Sequence, residues 1–185
     1  MILETAQIET ERLILRPHVM EDLEPLYHLT AHPDVYRFDP GYRRSYEQTR
    51  DILIFRIGEY RRHGMGRMAV VERATGELVG YAGLQLCLYE MPGMNVPAVE
   101  FFYGLRRDRW GCGYITEAGH ALIDHGFRVL RLPRIISTAD KRNTPSINVM
   151  RRVGMTISDH ALDPDTWVCG VIENPYLRGS TDFSG

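Results

Sequence analysis

A stretch in the middle of the chain, residues 98–118, constrains the fold more than any other. It reads AVEFFYGLRRDRWGCGYITEA and predicts a strand (Ala98–Leu105), a basic turn, a glycine hinge and the start of a helix. A strand that leads through such a hinge into a helix presents free backbone N–H groups at the positive end of the helix dipole. The pattern therefore favours an anion site, although a lone Gly-x-Gly at 111–113 is equally typical of a plain turn.

The hinge completes neither of two common nucleotide-binding motifs. Gly113 is not followed by the Lys-Ser/Thr of a Walker loop, and Thr116 stands where a dinucleotide fingerprint has its third glycine. A dinucleotide-binding oxidoreductase that places Asp140 on the ribose is therefore the weakest hypothesis. The sequence also predicts one strand–helix–strand unit where that fold needs several.

The remaining patterns surround this stretch with further strands and helices. Alternating polar and apolar residues, bounded by turn residues, predict the following strands: Glu11–Arg16, Arg67–Glu72, Leu78–Leu86, Arg134–Asp140, Met155–Ala161 and Asp165–Glu173. Apolar spacing and capping residues predict the following helices: Glu21–Ala31, Ser45 to His63, Thr116–Leu130 and Thr144–Val153. The spacing from residue 98 to 140 implies a parallel strand pair with a right-handed crossover.

Length and composition indicate one domain over residues 1–185, with a core over about 8–175, a loop at 87–97 and a loose tail at 176–185. The net charge is −2 and the arginines are scattered, so nothing favours a nucleic-acid partner. No run reaches the roughly 18 apolar residues of a membrane span, and the N-terminus lacks the features of a signal peptide. We therefore expect a cytoplasmic protein without membrane association.

The sequence does not predict a metal site. The three cysteines, Cys87, Cys112 and Cys169, have no metal-type spacing and cannot all pair, which suits a reducing compartment. Side chains of Glu117, His120 and Asp124 share one helix face, but without a zinc-type motif they are better interpreted as an ion-paired surface, with Asp124 and Arg128 at i,i+4.

Motifs outside the central stretch resemble the GNAT superfamily of acyl-CoA N-acyltransferases, and in particular its branch of RimJ/RimL-like ribosomal-protein N-terminal acetyltransferases. The resemblance covers about residues 8–175. It rests on these segments: TERLILR at 10–16, EFFYGL at 100–105, WGCGYITEA at 110–118, NTPS at 143–146 and RVGM at 152–155. It implies a mixed α/β fold, with a mostly antiparallel twisted sheet splayed at one parallel strand pair and about four helices.

The resemblance also implies which residues bind acetyl-CoA, the co-substrate. The backbone amides of the hinge would hold the pyrophosphate: Gly111, Cys112, Gly113, Tyr114 and Ile115. The pantetheine arm would run along the strand at Tyr103, Gly104 and Leu105 and would contact the side chain of Asn143. Arg106 would add positive charge near the phosphates. This chain departs from the strict family turn at Trp110 and Ile115, of which Ile115 is bulkier than usual.

Two residues are predicted to handle protons. Glu100 lies close to the position where the superfamily often has a glutamate that deprotonates the amine through water, and an α-amine with a pKa of about 8 needs only modest help. The alternative for Glu100 is a surface or arginine-bound carboxylate. Many relatives have a tyrosine on the short helix as the acid for the leaving thiolate, but this chain has Met150 there. Ser146 is the nearest candidate, with a helix cap or protonation by water as alternatives.

The sequence therefore predicts direct acetyl transfer from acetyl-CoA to a primary amine, without a metal or a covalent enzyme intermediate. The acceptor is a protein N-terminal α-amine, with a small amine or an antibiotic as alternative. The first-loop aromatic residues lie where the family binds the acceptor: Tyr36, Phe38, Tyr42 and Tyr46. A CoA-binding sensor without turnover is a hypothesis of another class. The oligomeric state is open, with a homodimer as one option.

Overall fold

In the computed structural model, which describes residues 7–38, 41, 43–87 and 98–177, eight strands form one sheet in the order β1-β2-β3-β4-β5-β6-β8-β7. Their bounds are β1 Ile8–Glu9, β2 Leu13–Arg16, β3 Arg67–Glu72, β4 Leu78–Cys87, β5 Ala98–Leu105, β6 Arg134–Asp140, β7 Thr156–Asp159 and β8 Trp167–Glu173. Neighbouring strands pair antiparallel except β5 and β6, which pair parallel. The predicted fold class is confirmed.

Four α-helices cover the two faces of this sheet in the described residues. They are α1 Leu23–Ala31, α2 Tyr46–His63, α3 Tyr114–Arg128 and α4 Thr144–Arg152. Leu26, Leu29 and Leu53 of α1 and α2 pack with Tyr81 of β4. The next residue of β4, Ala82, belongs instead to the large core beneath α3 and α4. Since successive strand residues point to opposite faces, the two helix pairs lie on opposite sides of the sheet.

The predicted helix starts are confirmed at α2 and α4, whereas α1 begins at Leu23, two residues after the predicted Glu21, because Met20–Asp22 form a 3-10 turn. Ser45 and Gln48 form the capping box of α2, and Gly64 ends that helix in the left-handed conformation. Helix α3 begins at Tyr114, two residues before the predicted start, because Gly113 at φ 80° already serves as its N-cap. It ends at Arg128, two residues before the predicted end at Leu130, and the next residue, Val129, is 64% exposed.

Strand β1 was not predicted. The sequence pattern indicates one strand from residue 11 to 16, whereas the chain makes a tight turn in which the Thr10 N–H donates to the Leu13 carbonyl at 2.9 Å. Two residues are too few to give a periodic signal. The predicted loop at 87–97 and the tail at 176–185 lie mostly outside the described residues, apart from Cys87 at the end of β4 and the short 3-10 turn Pro175–Leu177.

Two glycines let α3 lie close to the sheet. A Cβ atom on Gly119 would lie 2.8 Å from Val153 Cγ1, and one on Gly126 would lie 2.7 Å from Leu84 Cδ1. Both positions therefore exclude a side chain, because real Cβ contacts are longer. Ala118 and Leu122 lie buried on the same face of the helix. This close packing brings the start of α3 against the end of β5.

A buried ionic cluster joins the end of β2 to α1. The Asp22 carboxylate accepts from Arg16 Nη1 and Nη2 at 2.8 and 2.7 Å and from the Val19 N–H at 3.0 Å, and it lies 3.1 Å from His18 Nδ1. Burial alone would raise the pKa of Asp22, but the hydrogen bonds from Arg16 and His18 outweigh it and hold the pKa well below the usual range.

We expect Asp22→Asn to lower the free energy of unfolding by about 3 kcal/mol at neutral pH, because it leaves the Arg16 and His18 partners without their anion. A depressed carboxyl pKa contributes stability above the unfolded value that is lost as pH falls, so the difference between variant and parent should shrink below about pH 5. Urea titrations at several pH values measure both effects. Asp51→Asn, at an exposed site on α2, is the control and should stay within about 0.5 kcal/mol.

Candidate active site

The sheet opens between β5 and β6. Their register contains a single pair, Glu100 with Ile136. Beyond it, side chains replace the backbone ladder: the Ser137 hydroxyl donates to the Phe101 carbonyl at 2.9 Å, and the Thr138 N–H and hydroxyl donate to Glu100 Oε1 at 3.0 and 2.7 Å. These contacts satisfy the polar groups that a splayed parallel pair would otherwise leave buried and unpaired.

A cavity of about 230 Å³ lies at this opening and reaches both faces of the sheet. Glu100 and Phe102 point to the face of α1 and α2, whereas Phe101 and Tyr103 point to the face of α3 and α4. The lining residues used below are Tyr36, Arg67, Tyr81, Asp140, Asn143 and Ser146. A molecule that enters from one face can therefore meet a second molecule that enters from the other.

The β5 backbone offers hydrogen-bonding groups to this cavity at Tyr103. Two hydrogen bonds show which way the backbone groups of this strand point. The Arg106 N–H donates towards β4, to the Val79 carbonyl at 2.8 Å, and the Phe101 carbonyl accepts from the opposite side, from the Ser137 hydroxyl of β6. Because successive residues alternate in direction, the N–H and C=O of Tyr103 face the opening and those of Gly104 face β4. The Leu105 carbonyl accepts from the Trp110 indole at 2.9 Å. Position 104 requires glycine, because a Cβ atom there would lie 2.7 Å from the Tyr81 ring.

Glu100 is almost fully buried, with 1% of its surface exposed. Burial raises its pKa above the usual range, and the two hydrogen bonds from Thr138 oppose that shift without cancelling it. The Cys87 thiol donates to Oε2 over 3.7 Å. Glu100 is therefore neither the surface carboxylate nor the arginine-bound one of the alternative reading. A buried carboxyl with a raised pKa is a better proton acceptor near neutral pH than a free one.

On the opposite face, Ser146 and Tyr103 form a hydroxyl pair. Their oxygens lie 2.6 Å apart, and the Tyr103 hydroxyl also donates to the Ser146 carbonyl at 3.1 Å. Burial raises the pKa of Tyr103 to about 12. Asn143 Oδ1 accepts from the Ser146 N–H at 3.2 Å and caps α4, and the Asn143 residue lines the cavity. Met150 is fully buried beneath them.

The hinge presents backbone donors at the start of α3. Gly111 and Gly113 have φ of 78° and 80°, a region that side-chain-bearing residues rarely adopt. Gly113 has no side chain to cap the helix, and the first intrahelical bond runs from the Glu117 N–H to the Gly113 carbonyl at 3.0 Å. The amides of the first turn are therefore free to bind an anion. The Ile115 side chain is 7% exposed and packs in the core, so its bulk points away from these donors.

The basic turn is less cationic than its sequence indicates. Arg106 donates to Asp108 and Glu77 at 2.8 and 3.0 Å, and Arg109 lies within 3.6 Å of the carboxylates of Glu72, Glu77 and Asp108. Acidic side chains thus already pair with Arg106. The backbone, more than the arginine charges, supplies the anion-binding character of the hinge.

One residue that holds the hinge was not predicted as functional. Arg12 Nη1 donates to the Cys112 carbonyl at 2.9 Å, and its other nitrogens bind Glu117 Oε2 at 2.7 Å. Arg12 lies inside the TERLILR segment, but no local pattern indicates a contact with a turn so distant in sequence. The Cys112 side chain itself is exposed.

The other predicted groups fall outside this cavity or have ordinary partners. Asp124 and Arg128 form the predicted ion pair at 2.6 Å, and Glu117 binds Arg12. Within the part of the chain that the structure describes, no three metal-ligating side chains come together, and no helix is long and apolar enough to cross a membrane. Tyr36 and Phe38 line the cavity, Tyr46 packs against Tyr27, and Tyr42 lies outside the described residues.

Known proteins share this architecture. The sequence model of a protein family, the acetyltransferase (GNAT) domain, matches residues 12–156 of this chain. The uncharacterized N-acetyltransferase p20 of Bacillus licheniformis is 32% identical over 143 residues, which cover 76% of this chain and 77% of that protein. Spermidine N(1)-acetyltransferase of Escherichia coli strain K12 is 26% identical over 143 residues, covering 77% and 72%. An acetyltransferase structure from Agrobacterium tumefaciens strain C58 matches with a TM-score of 0.75 at 26% identity and covers 94% of this chain and 97% of its own. The chain belongs to the GNAT acetyltransferase family.

Proposed function

We propose that this GNAT enzyme transfers the acetyl group of acetyl-CoA directly to the α-amine of a peptide or protein N-terminus. The observation that carries the proposal is the cavity at the splayed strands, which is lined by a buried carboxyl on one face of the sheet. The helix that follows the same strand along the chain, α3, offers the free amides of its first turn. The RimJ/RimL-like motifs of the sequence support the choice of acceptor.

The hinge residues fit the diphosphate of acetyl-CoA. Amides at Gly111, Cys112, Gly113, Tyr114 and Ile115 offer donors at the positive end of α3, where a dianion is stabilised. Gly111 and Gly113 leave room for close approach, since a Cβ on Gly111 would meet nothing within 4 Å and one on Gly113 would meet only an Arg12 nitrogen at 3.6 Å. Arg12 fixes the loop through the Cys112 carbonyl.

The strand opening fits the pantetheine arm. The Tyr103 N–H and C=O supply the hydrogen bonds of a strand edge, and the Asn143 amide supplies a further donor. Gly104 lets the Tyr81 ring pack against the strand, and the Leu105 carbonyl accepts a hydrogen bond from the Trp110 indole. Arg106 stabilises the turn by its hydrogen bond to Asp108. These three residues would shape the site without contacting the arm through their own side chains.

Proton transfer would take place on both sides of the thioester. Glu100 accepts a proton from the ammonium form of the acceptor, directly or through water, and the neutral amine then attacks the thioester carbonyl. As the carbon–sulfur bond breaks, the new amide nitrogen releases a second proton and the departing CoA thiolate takes one up. A backbone N–H of β5 on the side of the opening would stabilise the oxyanion that develops at the thioester carbonyl. The hydroxyl pair of Ser146 and Tyr103 lies on the opposite face, where it can return a proton to the departing thiolate in place of the tyrosine that α4 lacks.

The replacement of that tyrosine by Met150 is the observation that favours a CoA-binding sensor, and the spermidine relative favours a small amine as acceptor. Release of free CoA thiol separates these possibilities. We expect thiol release from acetyl-CoA with N-terminal peptides, and slower release with spermidine. A sensor would bind acetyl-CoA and release no thiol with any acceptor, and a polyamine enzyme would prefer spermidine.

A further inference from the structure

A guanidinium forms part of the cavity wall on the face where Glu100 points. Arg67, at the start of β3, donates from Nε to Gln85 Oε1 at 2.9 Å, and its guanidinium carbon lies 3.9 Å from the centroid of the Phe102 ring. Gln85 pairs with Glu100 across β4 and β5, so Arg67 lies beside the proposed base. Among the described residues no carboxylate lies within 4 Å of Arg67, and its terminal nitrogens have no hydrogen-bond partner.

A second guanidinium lies behind the first. Arg56 of α2 is 4% exposed and lies 4.3 Å from the centroid of the Tyr81 ring, which Arg67 also approaches at 5.8 Å. Arg56 Nε and Nη1 have no hydrogen-bond partner among the described residues. Burial and, to a smaller extent, the charge of Arg67 lower the pKa of Arg56 to about 10, so Arg56 still carries its charge at neutral pH. Two adjacent cations without an anion are costly to bury.

Among the described residues, the carboxylates of the cavity form no ion pair with Arg67 or Arg56, although the charge of Arg67 lowers the pKa of Glu100. Asp140 is bound by Arg142, with Nη2 to Oδ2 at 2.6 Å, and Glu100 is held by Thr138. Among the described residues, the hydroxyls of Tyr36 and Tyr81 also lie on this side and bond to each other at 3.0 Å. The acceptor side of the cavity therefore has a positive potential next to the group that takes the amine proton.

We infer that the acceptor is an acidic peptide N-terminus, and that a carboxylate near its amine binds Arg67, with Arg56 adding to the field. The inference rests on the proposed function and deepens it. A fixed guanidinium that keeps its terminal donors free matches the geometry of a carboxylate. The same positive wall disfavours a polyamine, since a second cationic group would have to approach Arg67 and Arg56.

Two peptides that differ only in glutamate or glutamine at their second and third positions test the inference. We expect the enzyme to acetylate the glutamate peptide with a kcat/KM at least about tenfold higher, the worth of one charge-assisted hydrogen bond. Arg67→Gln should remove that preference, and Arg67→Glu should reverse it. Arg61→Glu, at an exposed position of α2, changes the net charge as much as Arg67→Glu does and should keep the preference for the glutamate peptide.

Binding of the two peptides in the presence of CoA, measured by isothermal titration calorimetry, gives a readout that does not depend on turnover. Tighter binding of the glutamate peptide that depends on Arg67 supports the inference. Equal binding and equal kcat/KM for the two peptides would overturn it while leaving the proposed acetylation intact. If the protein binds acetyl-CoA but acetylates no acceptor, the proposed function is overturned instead. The difference in binding between the glutamate and glutamine peptides would then still show whether Arg67 binds a carboxylate.

Discussion

Gly113→Glu is expected to weaken acetyl-CoA binding by at least about 100-fold while leaving the fold intact. Gly113 caps α3 at φ 80°, and a Cβ there would meet only the end of the Arg12 side chain at 3.6 Å, so the variant has room to fold. A glutamate adds a negative charge beside the proposed diphosphate, which costs about 1 to 4 kcal/mol of binding free energy at the relevant distances. The left-handed backbone costs a side-chain-bearing residue about 1 to 2 kcal/mol, which lowers the free energy of unfolding.

Two matched variants separate charge from strain. Gly113→Ala carries the strain without the charge and should lose much less affinity than Gly113→Glu. Gly64→Glu places the same residue at another left-handed glycine, the C-cap of α2, where nothing lies within 4 Å, and should bind acetyl-CoA normally. Titration of each folded protein with acetyl-CoA, with circular dichroism as the folding check, measures the effect. Unchanged affinity in Gly113→Glu would place the phosphates elsewhere.

Glu100→Gln is expected to lower kcat/KM at neutral pH by about 100-fold or more, because the amine then loses its proton acceptor. The glutamine oxygen can keep the hydrogen bonds from Thr138, so the cavity should hold its shape. For the parent enzyme, kcat/KM should rise with pH through the raised pKa of Glu100, and this acid limb should be absent in the variant. Asp140→Asn changes another carboxyl of the same cavity and should cost only a few-fold.

Stability gives an independent check on Glu100. Burial raises its pKa in the folded protein, so the protonated form contributes stability at low pH that is lost as pH rises through that pKa. Glu100→Gln should therefore gain in melting temperature relative to the parent as pH rises from 4 to 8. If Glu100→Gln keeps the kcat/KM of the parent, Glu100 does not accept the amine proton. If the difference in melting temperature between the two proteins does not change with pH, Glu100 does not titrate in the way its burial implies.

The sequence predicted the elements that carry strong local signals. Pro145 at the start of α4, the capping box at Ser45 and the turn glycines at 64 and 113 each fix a helix end through backbone chemistry, and these ends were correct to within two residues. The parallel pair of β5 and β6 followed from the spacing of strand, helix and strand. The boundary of α3 was misplaced because Tyr114 and Ile115 were interpreted as part of the hinge, whereas they already form the first turn.

The contacts that shape the site were less accessible to sequence reasoning. The hydrogen bonds from Thr138 to Glu100 and from Tyr103 to Ser146 join residues on different elements, and their geometry depends on the splay of the sheet. Arg12 holds the hinge although it lies 100 residues before Cys112 in the sequence. Arg67 and Arg56 belong to no sequence motif, and an isolated arginine in a strand or a helix is usually solvated or paired, so the sequence did not predict their role.

Mass spectrometry of a cell extract incubated with the purified protein and isotopically labelled acetyl-CoA tests the central claim most directly. We expect the label on the α-amine of one or a few peptide or protein N-termini, with an acidic residue near the modified position. The labelling should fall sharply when Glu100→Gln replaces the parent protein. Label on a polyamine alone would contradict the proposed acceptor, and the absence of any labelled amine, despite measurable acetyl-CoA binding, would contradict the assignment of an active acetyltransferase.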